Sequence, residues 1–257
     1  MLLVMPNALA GVEGPSQTNF PLSNAFNDIP SMLWASPTGS TQSYIIVENT
    51  RPWYEIDKGA FDTVVFISGT FVTVRIRTGD TPTGVGVYDS GELPWREPTN
   101  PSGYYMTKSS YRIPAQTARY VRIDFTRASS GAMNLRRLVI GKAMPLGTTG
   151  GLDIGAEMSW VDDSIVYSGP QYEFFDQGQT YPQYKVSVSF IDQADFETWS
   201  SNLAVIGKTR AVFFAPDDDP QSHHRFSAFG RIQNVATATM QASGTWKIEF
   251  VIRSLVV

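Results

Sequence analysis

Strict alternation of apolar and polar residues in two distant segments constrains this chain most. Tyr184, Val186, Val188 and Phe190 interleave with Lys185, Ser187 and Ser189, and Trp246, Ile248, Phe250 and Ile252 interleave with Lys247, Glu249 and Arg253. Successive side chains on a strand point to opposite sides, so each segment reads as an antiparallel strand with one buried and one wet face. Shorter stretches of the same kind occur earlier: 44–47, 63–67, 71–77 (Val72, Val74 and Ile76 against Thr73, Arg75 and Arg77), 119–125 (Val121, Ile123 and Phe125 against Tyr120, Arg122 and Asp124) and 135–140. Composition agrees, because 15 Phe, 11 Tyr and 6 Trp suit pleated sheets while 21 Gly and 16 Pro supply turns that helices tolerate poorly. The expected class is all-β, in the form of a sandwich or barrel.

One segment breaks the pattern. From Asp192 to Ile206, Phe196, Trp199, Leu203 and Ile206 recur at helical spacing, Asp192 can cap the start, Asp195 and Glu197 suit the positive end of the helix dipole, and Gly207 suits the stop. A helix over 192–206 should lie across a sheet. Residues 1–42 are rich in Pro, Asn, Ser and Gly, with Phe20, Phe26 and Trp34 as scattered apolar anchors, and read as an extended arm. The opening Met-Leu-Leu-Val-Met lacks a basic flank, the first Lys or Arg being Arg51, so no secretory signal is expected. No stretch is long and apolar enough for a membrane span.

Gly79 to Gly103, broken repeatedly by Pro and Gly, reads as a long excursion between strands. Pro145 to Gly151 is short, flexible and uncharged, the best linker candidate, and the charge balance changes across it: 13 basic against 11 acidic residues up to Pro145, 7 against 13 afterwards. The expected organisation is an arm (1–42), a β-sandwich (43–144), a linker (145–151) and a β-rich unit (152–257).

The function classes narrow by chemistry. A net charge of −4 without basic runs is not the footprint of a nucleic-acid binder, so no specific nucleic-acid binding is expected. The absence of Cys excludes disulfides and thiolate metal sites. The only histidines, His223 and His224, are adjacent in a polar loop after Asp217-Asp218-Asp219-Pro220; neighbours on a strand diverge, and the spacing fits neither a calcium loop nor a zinc helix. A solvated turn is the simpler account. No serine sits in a nucleophile elbow, and Gly84-Val85-Gly86 has no flanking helix to cradle phosphate. No enzyme activity, metal or cofactor is expected. Sugar binding keeps candidates: Trp95, Tyr104 and Tyr105 could stack on a pyranose face, with Arg96 and Asn100 as polar partners. Alternatively, those rings pin their loop to the sandwich.

Three stretches, Trp53 to Asp57, Val64 to Gly69, and Ala118-Arg-Tyr-Val-Arg-Ile-Asp-Phe125 followed by Leu135-Arg-Arg-Leu-Val-Ile-Gly141, resemble the galactose-binding-like (discoidin-like) sandwich family. The resemblance spans roughly residues 20–144 and implies a fold, not a ligand. The plan of the whole chain, a sandwich ending in Arg137-Leu-Val-Ile-Gly-Lys-Ala-Met144 and then a unit whose Trp-bearing helix runs into Ile206-Gly-Lys-Thr-Arg-Ala-Val-Phe-Phe-Ala-Pro216, is similar to the distal tail or tail-tip proteins of long-tailed bacteriophages. That implies a non-enzymatic virion subunit, assembled in the bacterial host cytoplasm, whose partners are copies of itself in a hexameric or trimeric ring, the tail tube and tail-tip or baseplate proteins. In this picture the second unit forms the ring and lines its lumen, the first projects outwards, and the arm orders on a neighbour. The alternative is a carbohydrate-binding module or adhesin for a cell-surface glycan.

Overall fold

The computed structural model describes residues 2–29, 31–50, 59–95, 108–144, 154–168, 173–176, 180–216, 227–234 and 236–255. The chain divides into two compact units, the first comprising residues 2–144 with 213–227, the second 145–212 with 228–257. The stretch 213–227, expected in the second domain, is therefore counted with the first.

The first unit is an antiparallel sandwich, as the galactose-binding-like resemblance implies. Its strands are β1 (Leu2–Pro6), β2 (Ala8–Glu13), β3 (Trp34–Ala35), β4 (Gln42–Thr50), β5 (Phe61–Gly69), β6 (Thr73–Gly79), β7 (Tyr88–Pro94), β8 (Lys108–Gln116), β9 (Tyr120–Thr126) and β10 (Asn134–Ala143). One sheet runs β1-β10-β5-β8, with β3 also on β10; the other runs β2-β4-β9-β6-β7. Val64 and Phe66 of β5, Leu138 and Ile140 of β10 and Tyr111 of β8 meet Ile45 and Val47 of β4, Val121, Ile123 and Phe125 of β9, and Val74 and Ile76 of β6 in one core. The alternation seen at 119–125 thus does what its period demands, except that Tyr120 is also buried. Phe66 sits at the centre of an aromatic cluster, 5.7–6.2 Å from the rings of Phe71, Trp95, Tyr111 and Phe125 in edge-on geometries.

Three expectations change here. Residues 1–42 are not an arm: β1 pairs with β10, and Leu3 and Val4 are fully buried. A strand buried on both sides reads as a continuous apolar run, which carries no period to detect. Gly141, at the end of the family-like motif, explains how β1 fits, since a Cβ there would lie 1.9 Å from the carbonyl oxygen of Met5. Trp34, one of the supposed scattered anchors, is wholly buried, with its indole N–H donating to the Ser16 hydroxyl at 3.0 Å. The excursion 79–103 contains β7, paired with β6 across a bulge, and this edge strand is mostly exposed, so its residues do not alternate cleanly. Val72 stands outside β6 and is half exposed.

The second part of the chain holds β11 (Ile154–Asp162), β12 (Ile165–Ser168), β13 (Glu173–Asp176), β14 (Thr180–Asp192), α1 (Gln193–Ile206), β15 (Ala211–Ala215), β16 (Ala228–Ile232), β17 (Thr237–Ala242) and β18 (Thr245–Ser254). Residues 213–215 of β15 belong to the first unit and pair with β1. In the second unit β14 lies between β11 and β18, while the far side of β18 is shared by β17 at its start and β16 at its end. β12 and β13 form a separate hairpin. Helix α1 begins as its sequence specifies, with Asp192 accepting from the Asp195 N–H at 2.8 Å, and ends at Gly207 with φ +51°. Trp199, Leu203 and Ile206 are buried beneath it. This is an antiparallel β-rich unit with one α-helix among the described residues.

Candidate functional site

At the sugar-binding candidates the structure is partly informative. Trp95 is 8% exposed; its backbone N–H donates to Val72 at 2.7 Å and its ring lies 4.4 Å from that of Phe71. Pro94 is held in turn by the Tyr111 hydroxyl, donating to its carbonyl at 2.8 Å. Burial against Phe71 and Phe66 gives Trp95 to the core and takes it off the surface as a stacking platform. Arg96, Asn100, Tyr104 and Tyr105 lie outside the described residues, as do His223, His224 and Asp217 to Asp219. Among the described residues no three His, Asp or Glu side chains gather as metal ligands, and no helix is long and apolar enough to cross a membrane.

The outward face of β4-β9-β6-β7 carries the polar half of the Arg119–Phe125 motif. Arg77 and Arg122 each donate from Nε to Asp124 at 2.9 Å, Arg75 donates to Asp89 at 2.8 Å, and Arg119 to Glu48 at 2.7 Å. The Arg122 guanidinium also lies 4.1 Å from the Tyr44 ring centre. Hydrogen bonding from Arg75 holds the Asp89 carboxyl down at about 2. Each of these guanidiniums already has a carboxylate, so the face is a solvated ladder of ion pairs. One cation is set apart: Lys108 is 3% exposed, donates to the Ser227 carbonyl at 3.0 Å, and is pushed down to about 8 by burial.

The second unit offers a different surface, which sequence reasoning only half anticipated. Level with one another across its sheet stand Ala156, Val186 and Phe250, then Met158, Tyr184 and Ile252. These share the face under α1, where the Trp199 ring lies 6.2 Å from Phe250 and Phe196 stacks on Trp246 at 4.0 Å and 6°. Burial pushes the Tyr184 hydroxyl up to about 12. The other face bears Glu157, Lys185, Ser187, Lys247 and Glu249, with Lys247 2.9 Å from Glu249, and is mostly polar at its middle, Val251 standing level with Lys185. What the alternation did not reveal are the edges. β11 pairs with β14 alone and β17 with β18 alone among the described residues. All six residues of β17 are exposed, and so are Ala156, Glu157, Ser159 and Trp160 of β11, Trp160 by 50%. A signal was present, since Ile154, Ala156, Met158 and Trp160 alternate with Gly155, Glu157 and Ser159.

No protein-family model and no curated relative matches the sequence. Solved structures do resemble about half of it. Chitosan-binding module 1 from a chitosanase/glucanase of Paenibacillus sp. IK-5 is 15% identical, with a TM-score of 0.35, over 53% of this chain and 95% of the module. CBM32-1 from a family 31 glycoside hydrolase of Clostridium perfringens is 14% identical, with a TM-score of 0.39, over 53% and 96%. The lectin domain of lectinolysin, solved with Lewis B antigen, is 7% identical, with a TM-score of 0.36, over 53% and 92%.

Proposed function

We propose that this chain is a non-catalytic assembly subunit of a bacteriophage tail tip, forming a homo-oligomeric ring through its second unit, with three or six copies. The observation that carries this reading is the second unit's sheet, which has one mostly polar face, one face under α1, and two outer strands, β11 and β17, that pair on one side only among the described residues and expose most of their side chains. An exposed strand edge presents unpaired N–H and C=O groups and is a template for another chain. A sheet with one such edge at each side makes a head-to-tail contact, which closes into a ring when the rotation permits. The polar face then suits a water-filled lumen, and the acidic balance of residues after Pro145 disfavours a grip on passing DNA. The test is cryo-electron microscopy of the assembled tail and native mass spectrometry of concentrated protein. A ring on the tube axis, formed by the second unit, supports the reading; an isolated peripheral monomer defeats it.

A second reading is glycan recognition by the first unit. The carbohydrate-binding proteins among the similar structures lie on the side of this reading, although a shared sandwich identifies no ligand. With Trp95 in the core, the reading rests on Tyr104, Tyr105, Arg96 and Asn100. Glycan-array binding lost in Tyr104→Ala, with the circular dichroism spectrum unchanged, would establish it.

A further inference from the structure

The first unit takes one of its strands from late in the chain. We propose that residues 213–227 are a strap that closes this unit, so that the unit keeps its fold only while the strap stays docked on β1 and β8. Neither the ring reading nor the glycan reading is needed for it.

The start of the strap is a strand. Phe213, Phe214 and Ala215 pair antiparallel with Val4, Leu3 and Leu2, and all of them are buried. Along its other side β1 is seated on β10, where Gly141 leaves room for the Met5 carbonyl. Without the strap, β1 would be the outer strand of the path β1-β10-β5-β8, with a row of N–H and C=O groups unpaired and with Leu2, Leu3 and Val4 short of neighbours on that side. Holding together two segments so distant in sequence carries a loop-closure cost. That cost grows only slowly with length, and burial of two phenylalanines offsets it.

The end of the strap is held at the opposite edge of the same sheet. Ser227 is buried, and its carbonyl accepts from the amine of Lys108, on β8, at 3.0 Å. An amine is tolerated in the interior where it finds a partner, which ties Lys108 to the strap. Since β1 and β8 are the outer strands of the path β1-β10-β5-β8, the two described ends of the strap sit three strand spacings apart, roughly 14 Å. The face of this sheet turned away from the sandwich interior is closed as well. Val65, Ile67 and Val139 alternate with Val64, Phe66, Leu138 and Ile140 along β5 and β10, stand outside the core between the two sheets, and are fully buried. A free-standing antiparallel sandwich wets the outward faces of its sheets. This sheet, whose two edges the strap joins, does not.

The test is to cut the full chain and see whether it comes apart. A protease recognition sequence is placed between Pro145 and Gly151, outside the described residues, and the purified protein is cleaved there. The expected result is that the two fragments co-elute on gel filtration, or that the N-terminal fragment loses its near-ultraviolet circular dichroism once they part. Paired cysteines identify the contact, because the chain has none of its own. Leu2→Cys with Ala215→Cys, and Leu3→Cys with Phe214→Cys, each put two thiols on residues that face each other across β1 and β15. Such pairs hold their Cα atoms about 4.5–5.5 Å apart, within disulfide range. At least one double variant, cleaved and oxidised, should run as a single band on a non-reducing denaturing gel, and no single variant should. The Ala215 pair is the milder change and serves if the Phe214 pair does not fold. Fragments that separate while the N-terminal one keeps its circular dichroism would overturn the proposal, since the first unit would then stand alone. Fragments that co-elute but are joined by neither pair would overturn it too, because something other than the strap would be holding them.

Discussion

The first unit gathers Trp34, Phe66, Phe71, Trp95 and Phe125 into one core, whereas the second leaves Trp160 half exposed on an outer strand. In the sandwich, β5 and β10 are interior strands, five consecutive residues of β5, Thr63 to Ile67, are buried, and the large aromatics converge on Phe66. In the second unit the central strands β14 and β18 are just as regular, yet the outer strands expose Trp160 and Met240 by half or more. The difference teaches where to look for function. A half-exposed tryptophan on an outer strand is a candidate contact residue, whereas one packed in a core reports on stability.

The contrast is broken or sharpened most strongly at Phe66. Phe66→Ala removes the ring at the centre of the sandwich core, with four aromatic neighbours unable to collapse fully into the space, and is expected to cost about 3–5 kcal/mol in denaturant unfolding. A loss under about 1 kcal/mol would mean that Phe66 is not the packing centre described above.

Lys108 tests the same unit from its one weakness. Its folded-state value, about 8, lies below the ordinary 10.5 because burial disfavours the charged form. The unfolded chain therefore holds more protons between those values, and stability rises with pH through that window. At pH 7 the buried charge costs about 3 kcal/mol, and raising the pH from 7 to 9 recovers roughly 1 kcal/mol of it. Urea unfolding at both pH values should show that gain in the parent and not in Lys108→Met, which should also be the more stable protein at pH 7. Equal pH dependence in both would contradict the burial.

Much of this was legible beforehand, for identifiable reasons. β9, β14 and β18 each bury one face, so period two is written into Val121-Ile123-Phe125, Val186-Val188 and Ile248-Phe250-Ile252. The helix was legible because Asp192, Trp199 and Gly207 carry its cap, its buried stripe and its stop. β1 was hidden because burial on both faces erases alternation, and β17 because six exposed residues, Thr-Ala-Thr-Met-Gln-Ala, encode no burial. A hollow of about 240 Å³ beside α1 could not be read at all: Phe196, Ala204, Ala238 and Ile248 line it only once the β17–β18 hairpin lies against the helix. Trp95 was legible as an aromatic but not as a core residue, since sequence gives a ring's position and not the direction in which its loop carries it.

A smaller effect belongs to Asp192, whose carboxylate closes the first turn of α1. Asp192→Ala should destabilise the second unit by about 1 kcal/mol. Asp192→Asn, which keeps the accepting oxygen, should restore most of that loss, and a Ser at the same position should do nearly as well. Thermal melts of the three variants decide whether the cap or the charge matters.

The variant at Trp160 costs less than the loss of a buried ring, and it carries the comparison furthest. In the first unit, removing a large aromatic removes buried area, at roughly 25 cal/mol for each Å² of apolar surface returned to water. Trp160 is 50% exposed on an outer strand, so Trp160→Ser returns only about half the surface that a fully buried tryptophan would. Backbone pairing of β11 with β14 runs from Ile154 to Asp162 and does not depend on that side chain. Unfolding of the dilute, monomeric protein should therefore shift by about 1–2 kcal/mol, less than for Phe66→Ala. Under the proposed ring reading, assembly should respond to the same substitution more strongly than folding does. A variant that folds normally and fails to assemble would separate the two uses of aromatic residues in one chain, as core in the first unit and as contact in the second. A large loss of monomer stability would instead place Trp160 within the second unit's own packing and erase the contrast.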